Sequence, residues 1–597
     1  MKNNSIWVSL FILTAMTSAS KVHSQRDSAF TYEAVVEGNR KILLRDATKI
    51  NSYPVIRDSV VKIPAIQYST LPVSVENRFE PMAIAATRIQ MEEKLLPLQR
   101  GYVRAGIGNF FTVPVELGYS SGRSKKGQMG AKYRLYRSSG LDLEDNSIPD
   151  DFTDQNATVW GDYFFKKLKV GGKMEWNNNN YHYYGLESKA YKEITPDLNN
   201  IDFEQRLNTV AIQSKISSFE RDTGNVNFSA EAGYRNSSDL RGGKESQFNI
   251  HGAVRKLRND ALFKLSGGIS QNTYERNMPV RLNDLSFLDT LNADLDSASA
   301  VRKTQSLLVN LSPSAVISRQ GFRAFIGAAV FLDAESSRPV RFYPNAEISY
   351  NMFDGLMVPA IGVTGQTAMQ TYYSLFLQNP FVSPFSECKN LNERLHVYAQ
   401  LSGALSQSVS YRTGVSYKRT ENLPLFVNTY SSSVGLTRLW GNAFDVRYDD
   451  VDVLNVFGEL SVYSRKSWNA FVRGDYYKYS TQKESSAWQL PTVKITSTLQ
   501  YSFKEKFILN SEIQFWGSRD ARSYTPLNDT SVLPNENGFF DIRLKPLLDL
   551  GFRLEYRYTK RLSFWSQMGN ALGMKYRIWS GFPSQRFLAV IGAGYSF

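Results

Sequence analysis

The chain has 597 residues, of which 42% are hydrophobic and 13% aromatic, with one Cys, four His and a formal net charge of +14. Length alone would suggest three or four soluble domains, yet the single Cys388 excludes a disulfide scaffold and a cysteine-rich zinc site, and His23, His182, His251 and His396 do not cluster. No mature stretch reaches the roughly eighteen apolar residues of a membrane-spanning helix, so the chain is either a string of soluble β domains or crosses a membrane as strands.

Residues 1–24 read as a signal peptide. Lys2 supplies a basic start, Ile6 to Met16 a short apolar core, and Val22 and Ser24 the small-residue cleavage site. The protein therefore leaves the cytoplasm, and its basic charge does not call for nucleic acid. Residues 25–100 are interrupted by Pro54, Pro64, Pro72, Pro81 and Pro97. They read as an extended periplasmic or lumen-inserted arm, with a short helix expected over 83–95.

From Gly101 to Phe597 the dominant pattern is alternation. Phe228, Ala230, Ala232 and Tyr234 interleave with Ser229, Glu231 and Gly233; Leu168, Val170 and Met174 interleave with Lys169, Lys173 and Glu175. Such runs last about ten to fourteen residues, nearer the ~9–11 of a tilted transmembrane strand than the ~5–6 of a soluble one. Tight polar turns recur near Gly122–Gly127, Lys166–Lys167, Glu220–Gly224, Arg258–Asp260, Ser318–Gly321, Phe353–Gly355, Ser406–Ser408, Ser464–Ser467, Lys504–Lys506 and Thr559–Arg561. Longer stretches at 138–155, 177–203, 276–302, 367–392, 419–450 and 518–538 are expected as loops between them. Short turns at one end and long loops at the other is the layout of a bacterial outer-membrane barrel. The expected fold class is all-β: a transmembrane antiparallel β-barrel of about 22 strands over 101–597.

Arg134, Glu231, Arg255, Arg412, Arg473, Asp475, Glu512, Arg553 and Glu555 fall on the polar phase of their strands. In a barrel they line a wet lumen; in a soluble sandwich they would face solvent. No linker-like segment or composition shift divides 101–597, which favours the barrel.

The final segment, Arg586 to Phe597, places Phe587, Ala589, Ile591, Ala593, Tyr595 and Phe597 on one face and ends the chain on an aromatic residue. It resembles the C-terminal signal read by the barrel-insertion machinery, with Tyr595 and Phe597 as the residues concerned. The order Leu562 to Leu572, then Trp579-Ser-Gly-Phe-Pro583, then the closing strand resembles the TonB-dependent receptors, particularly those of Bacteroidota. That resemblance implies an outer-membrane location in a Gram-negative bacterium and passage of a solute. The chain departs from the family at its N-terminus: 25–100 is too short for the family's plug domain, and Glu33 to Glu37 is the nearest stretch to an energy-coupling box. Asp46 to Asn51 and Gly101 to Asn109 resemble a plug-less, receptor-like Bacteroidota group.

Chemistry candidates are few. His251 lies on the inward phase but has no paired nucleophile, so no enzymatic site and no cofactor is expected. Asp142, Glu144, Asp145 and Asn146, with Asp150, Asp151 and Asp154 after them, offer oxygen ligands of the kind calcium takes, although solvated acidic loops are the default. Tyr181, Tyr183 and Tyr184 are candidates for sugar stacking. Lys125, Lys126, Lys166, Lys167, Lys504, Lys506, Lys560 and Arg561 would set a basic periplasmic rim. The expected partners are outer-membrane lipid, the barrel-assembly machinery and a periplasmic or lipoprotein partner. Two functions remain open: solute passage, or a structural subunit whose lumen is closed by the arm or a partner.

Overall fold

The computed structural model describes residues 99–597 apart from 123, 141–148, 186–202, 220–224, 280–298, 431–439, 465–466 and 524–538. The signal peptide, the arm up to residue 98 with its expected helix, and the acidic cluster at 142–146 lie outside the described residues.

The described chain forms one 22-stranded antiparallel sheet closed on itself. Each strand pairs with the next in sequence, and the first strand, Gly101–Gly108, pairs with the last, Leu588–Ser596, from Tyr102 opposite Ser596 to Gly108 opposite Val590. At the seam the N–H groups of Arg100 and Gly101 donate to the Phe597 carbonyl at 2.7 and 2.9 Å. Closure leaves no free edge, as backbone polar groups in hydrocarbon require.

Alternation sets the two faces. Val103, Ile107, Val159, Met174, Ile326, Ile361 and Ile591 are exposed on the outside, Ile361 and Ile591 by 65% and 66%. A continuous apolar face of that kind is a lipid belt, not the surface of a soluble monomer. The intervening residues point inward. Arg104 proves the sense: its Nη2 meets Glu555 Oε2 at 2.5 Å across two intervening strands, which only the concave face allows.

On that concave face, large rings lie over glycines directly opposite on the neighbouring strand. Tyr102 covers Gly118, Trp160 covers Gly130, His251 covers Gly268, Tyr398 covers Gly362, and Trp565 covers both Gly106 and Gly592 at the seam. A Cβ on Gly106 would sit 2.6 Å from the Trp565 ring. The absence of side chains there lets the rings lie flat against the wall and keeps the lumen wide.

The tight turns fall where the sequence places them, apart from those at 220–224 and 465–466, which lie outside the described residues. The outer connections differ in part. Three are short: Asn109–Phe111, 240–243 and 334–339. The stretches expected as loops at 177–203 and 419–450 are partly strand, because Leu168–His182, Val409–Tyr430 and Trp440–Tyr463 run on past the apolar belt. Asn-rich and charged residues end a lipid-facing pattern without ending a strand, since the ladder continues in water.

Candidate solute pathway

Two loops fold into the outer end of the barrel. The connection 369–390 folds into the mouth and carries the helix Tyr372–Gln378. Thr371 caps it: its hydroxyl accepts from the Ser374 N–H at 3.1 Å, while the Ser374 hydroxyl accepts from the Thr371 N–H at 2.9 Å. The first helical N–H groups, those of Tyr372 and Tyr373, donate to the two carboxylate oxygens of Glu245 on the wall, at 2.7 and 2.9 Å. Glu245 is 2% exposed and also accepts from Asn272 at 3.0 Å. Arg235 adds a bond to the Thr371 hydroxyl and lies over the Tyr373 ring at 4.2 Å.

The second inward loop, 570–587, meets the first near the centre. The Phe381 and Phe582 rings stack at 3.8 Å and 21°. Around them lie Tyr181, Tyr183, Tyr184, Tyr372, Phe376, Phe426, Phe444 and Trp579, drawn from strands on different sides of the barrel into one buried cluster. Two buried guanidiniums hold the loops by their carbonyls: Arg276 donates to the Ser386 oxygen, and Arg519 to those of Ile578 and Arg577 at 2.5 Å each. Burial pulls the pKa of Arg519, which lies outside the membrane span, down to about 10. Asp449 fastens a third connection, accepting from the N–H groups of Gln482, Lys483 and Glu484.

This corrects one expectation. Tyr181, Tyr183 and Tyr184 are not sugar-stacking platforms: all three are buried in the aromatic cluster, where their faces pack on protein. Glu245, Arg276, Arg519, Phe381 and Phe582 were not singled out from sequence. The available signal was loops too apolar for water, Tyr372-Tyr-Ser-Leu-Phe376 and Trp579-Ser-Gly-Phe582.

Below the cluster the inward residues pair with one another, along a strand or across strands. Arg134 meets Asp154 at 3.2 Å; Arg473 meets Asp475 at 2.9 Å and Glu459 at 3.2 Å; Glu555 meets Arg104. Lys215 approaches Glu231 at 4.0 Å, Gln514 donates to Glu512 at 2.6 Å, and Arg553 lies over the Trp565 ring at 5.2 Å. Arg412 stands opposite Glu459 in register, and Arg255 opposite Asn227. A recess of about 570 Å³ in this wall is lined by Asn469, Phe471, Gln500, Asn510, Glu512 and Arg553, among others. The structure thus brings Glu512 and Arg553 together in one recess, Arg134 and Arg553 in a second beside Arg104, and Arg473 with Asp475, while Glu231 and Arg255 stand on other strands.

His251 lies against Gly268 and opposite Glu231. Of the described acidic residues near 150, Asp154 turns to Arg134 and Asn179, and Asp151 to His182.

No family model matches the sequence, and no curated protein matches it. Solved structures do share its architecture. The FrpB iron transporter from Neisseria meningitidis superposes with a TM-score of 0.61 at 8% identity, over 84% of this chain and 82% of that one. The siderophore receptor PirA from Acinetobacter baumannii gives 0.60 at 9%, over 85% and 81%. The copper transporter OprC gives 0.58 at 10%, over 84% and 80%. By fold, this chain is an outer-membrane β-barrel of the 22-strand kind seen in TonB-dependent receptors.

Proposed function

We propose that the chain passes a solute across the outer membrane through its lumen, as a receptor-like barrel without a separate plug domain. The inward-folded outer loops act as the gate, and residues 25–100 form a periplasmic arm. The observation that carries this reading is the stack of Phe381 on Phe582. It joins two loops over a charge-paired lumen, so that movement of these loops would open the outer mouth. Tyr595 and Phe597 serve as the signal for the barrel-assembly machinery, and the surrounding lipid is the barrel's solvent.

Planar-bilayer conductance tests the reading. The intact chain is expected to be nearly silent, whereas replacement of 372–387 by a short Gly-Ser linker produces large, stable steps. If the shortened chain stays silent while remaining a heat-modifiable barrel, the gate is elsewhere. A deletion strain that grows normally on every solute but loses a stoichiometric membrane partner would support the structural-subunit role instead.

A further inference from the structure

Two recesses of the inner wall meet at one arginine. Arg553 and Gln567, opposite each other in register, line both the recess of about 570 Å³ and a smaller one of about 100 Å³ at the barrel seam. From Arg553 a single row of cross-strand partners runs away from the seam. Arg553 stands opposite Asn510, Asn510 opposite Gln500, and Gln500 opposite Asn469. With Gln567, four carboxamides and one guanidinium thus stand on neighbouring strands, at the ~4.8 Å spacing of a sheet. The protein itself makes little use of this row. Asn469 donates to Gln500 at 3.3 Å, while its own buried carbonyl oxygen has no partner. Among the described residues the side chains of Asn510, Arg553 and Gln567 make no hydrogen bond or ion pair; Arg553 lies over the Trp565 ring at 5.2 Å.

The small recess presents donors. Arg104, Arg134 and Arg553 line it, with Glu116, Tyr136 and Trp565. The carboxylates gather on the first two guanidiniums: Glu555 bonds Arg104, Asp154 bonds Arg134, and Glu116 is in register with both. Arg553 is left with neutral partners along its row. Tyr136 and Trp565 are 8% and 6% exposed, and neither the Tyr136 hydroxyl nor the Trp565 N–H has a partner. The buried Nε of Arg134 has none either. Folded proteins seldom leave such groups unmet, and an indole N–H can only donate. A ligand group rich in acceptor oxygens is what this set of donors calls for.

We propose that the two recesses together form a subsite for a polyhydroxylated carboxylate. Its carboxylate lies at Arg553, with Trp565 and Tyr136 beside it. Its hydroxyls lie along the carboxamide row, where each amide can give one hydrogen bond and take another. A single guanidinium without an ion pair matches a single negative charge. The proposal rests on the transport reading and names its solute class.

Equilibrium dialysis of the full chain in detergent micelles tests it. Radiolabelled glucuronate is expected to fill a saturable site, and glucose, which lacks the charge, to bind about tenfold more weakly. Arg553→Gln should bring glucuronate down to the level of glucose. Gln567→Glu, which sets a negative charge beside Arg553, should do so by a different route; each variant is checked as a heat-modifiable barrel. Asn510→Leu should weaken both sugars alike. Glucose 6-phosphate should bind no more tightly than glucuronate. Equal binding of glucuronate and glucose, tighter binding of the phosphate, or glucuronate binding indifferent to both Arg553→Gln and Gln567→Glu overturns the assignment. Occupancy is read apart from the conductance of the loop-shortened chain. Such a result therefore leaves the transport reading standing, and a silent loop-shortened chain leaves the binding result intact.

Discussion

The carboxylate of Glu245 accepts the backbone N–H of Tyr372 at 2.7 Å, so a buried charge on the barrel wall supplies the cap of a helix in the mouth. With Tyr373 and Asn272 also donating, the charge is satisfied by three groups. Replacing it by Ala leaves two helical N–H groups without their acceptor. Glu245→Ala should destabilise the loop by about 1.5–3 kcal/mol, the range for hydrogen bonds to a charged group. Amide exchange over 369–390 should speed up, and the channel should flicker open, while the barrel strands keep their protection. Glu245→Gln should fall between the two.

Arg519 makes a similar prediction on the second loop. Its guanidinium bonds the Ile578 and Arg577 carbonyls and, among the described residues, forms no ion pair. Arg519→Met keeps much of the volume and removes both bonds. Proteolysis within 570–587 should then become faster, whereas the melting of the barrel changes little. Unchanged proteolysis would mean that the aromatic packing alone holds this loop.

The Phe381 and Phe582 rings are close enough to be exchanged for a tether. In a Cys388→Ser background, Phe381→Cys with Phe582→Cys should form a disulfide under oxidation. The oxidised protein should conduct nothing even after Glu245→Ala, and reduction should restore flicker. Conductance that ignores the redox state would exclude these loops as the gate.

Cys388 reports the same movement without engineering. It packs against the aromatic cluster, and burial pushes its thiol well above the ordinary value. The thiolate is therefore scarce near neutral pH, and alkylation by iodoacetamide should be slow in the native protein. Reaction should accelerate as pH rises, and accelerate at constant pH in Glu245→Ala. Rapid labelling of the native chain at neutral pH would show that the loop is already free.

The ring-over-glycine contacts predict assembly defects. A Cβ on Gly130 would fall within the Trp160 ring, and one on Gly106 lies 2.6 Å from Trp565. Gly130→Val and Gly106→Val should reduce the yield of heat-modifiable barrel, with the second stronger because it acts at the closing seam. Gly458→Val, where open space surrounds the added atom, is the control expected to assemble normally.

Period-two alternation was sufficient to place the wall, because every transmembrane strand must satisfy lipid on one side and water on the other. The runs around Val159 and Met174 and the turns at Lys166 and Lys504 show this. It did not tell where strands end in water, so Asn177–His182 and Thr420–Tyr430 read as loop. The mouth was less legible still. Glu245 and Tyr372 stand 127 residues apart, and nothing local to either announces the bond. The aromatic loops at 372–376 and 579–582 were visible as text but not as one cluster, since their meeting depends on the closure of the barrel between them. Single-residue spacing carries no information of that range.

The unequal strand lengths give the molecule a sided rim. Trp440–Tyr463 has 24 residues, which at ~3.4 Å each and ~45° tilt climb roughly 55 Å, well beyond the ~30 Å of hydrocarbon. Val340–Tyr350 has 11, which by the same arithmetic climb only about 26 Å and do not rise above it. The parapet is therefore tall around 409–463 and drops to a sill at 340–350. A bulky visitor such as a phage or an antibody arriving from solution meets the parapet first, whereas a molecule creeping along the bilayer surface meets only the sill.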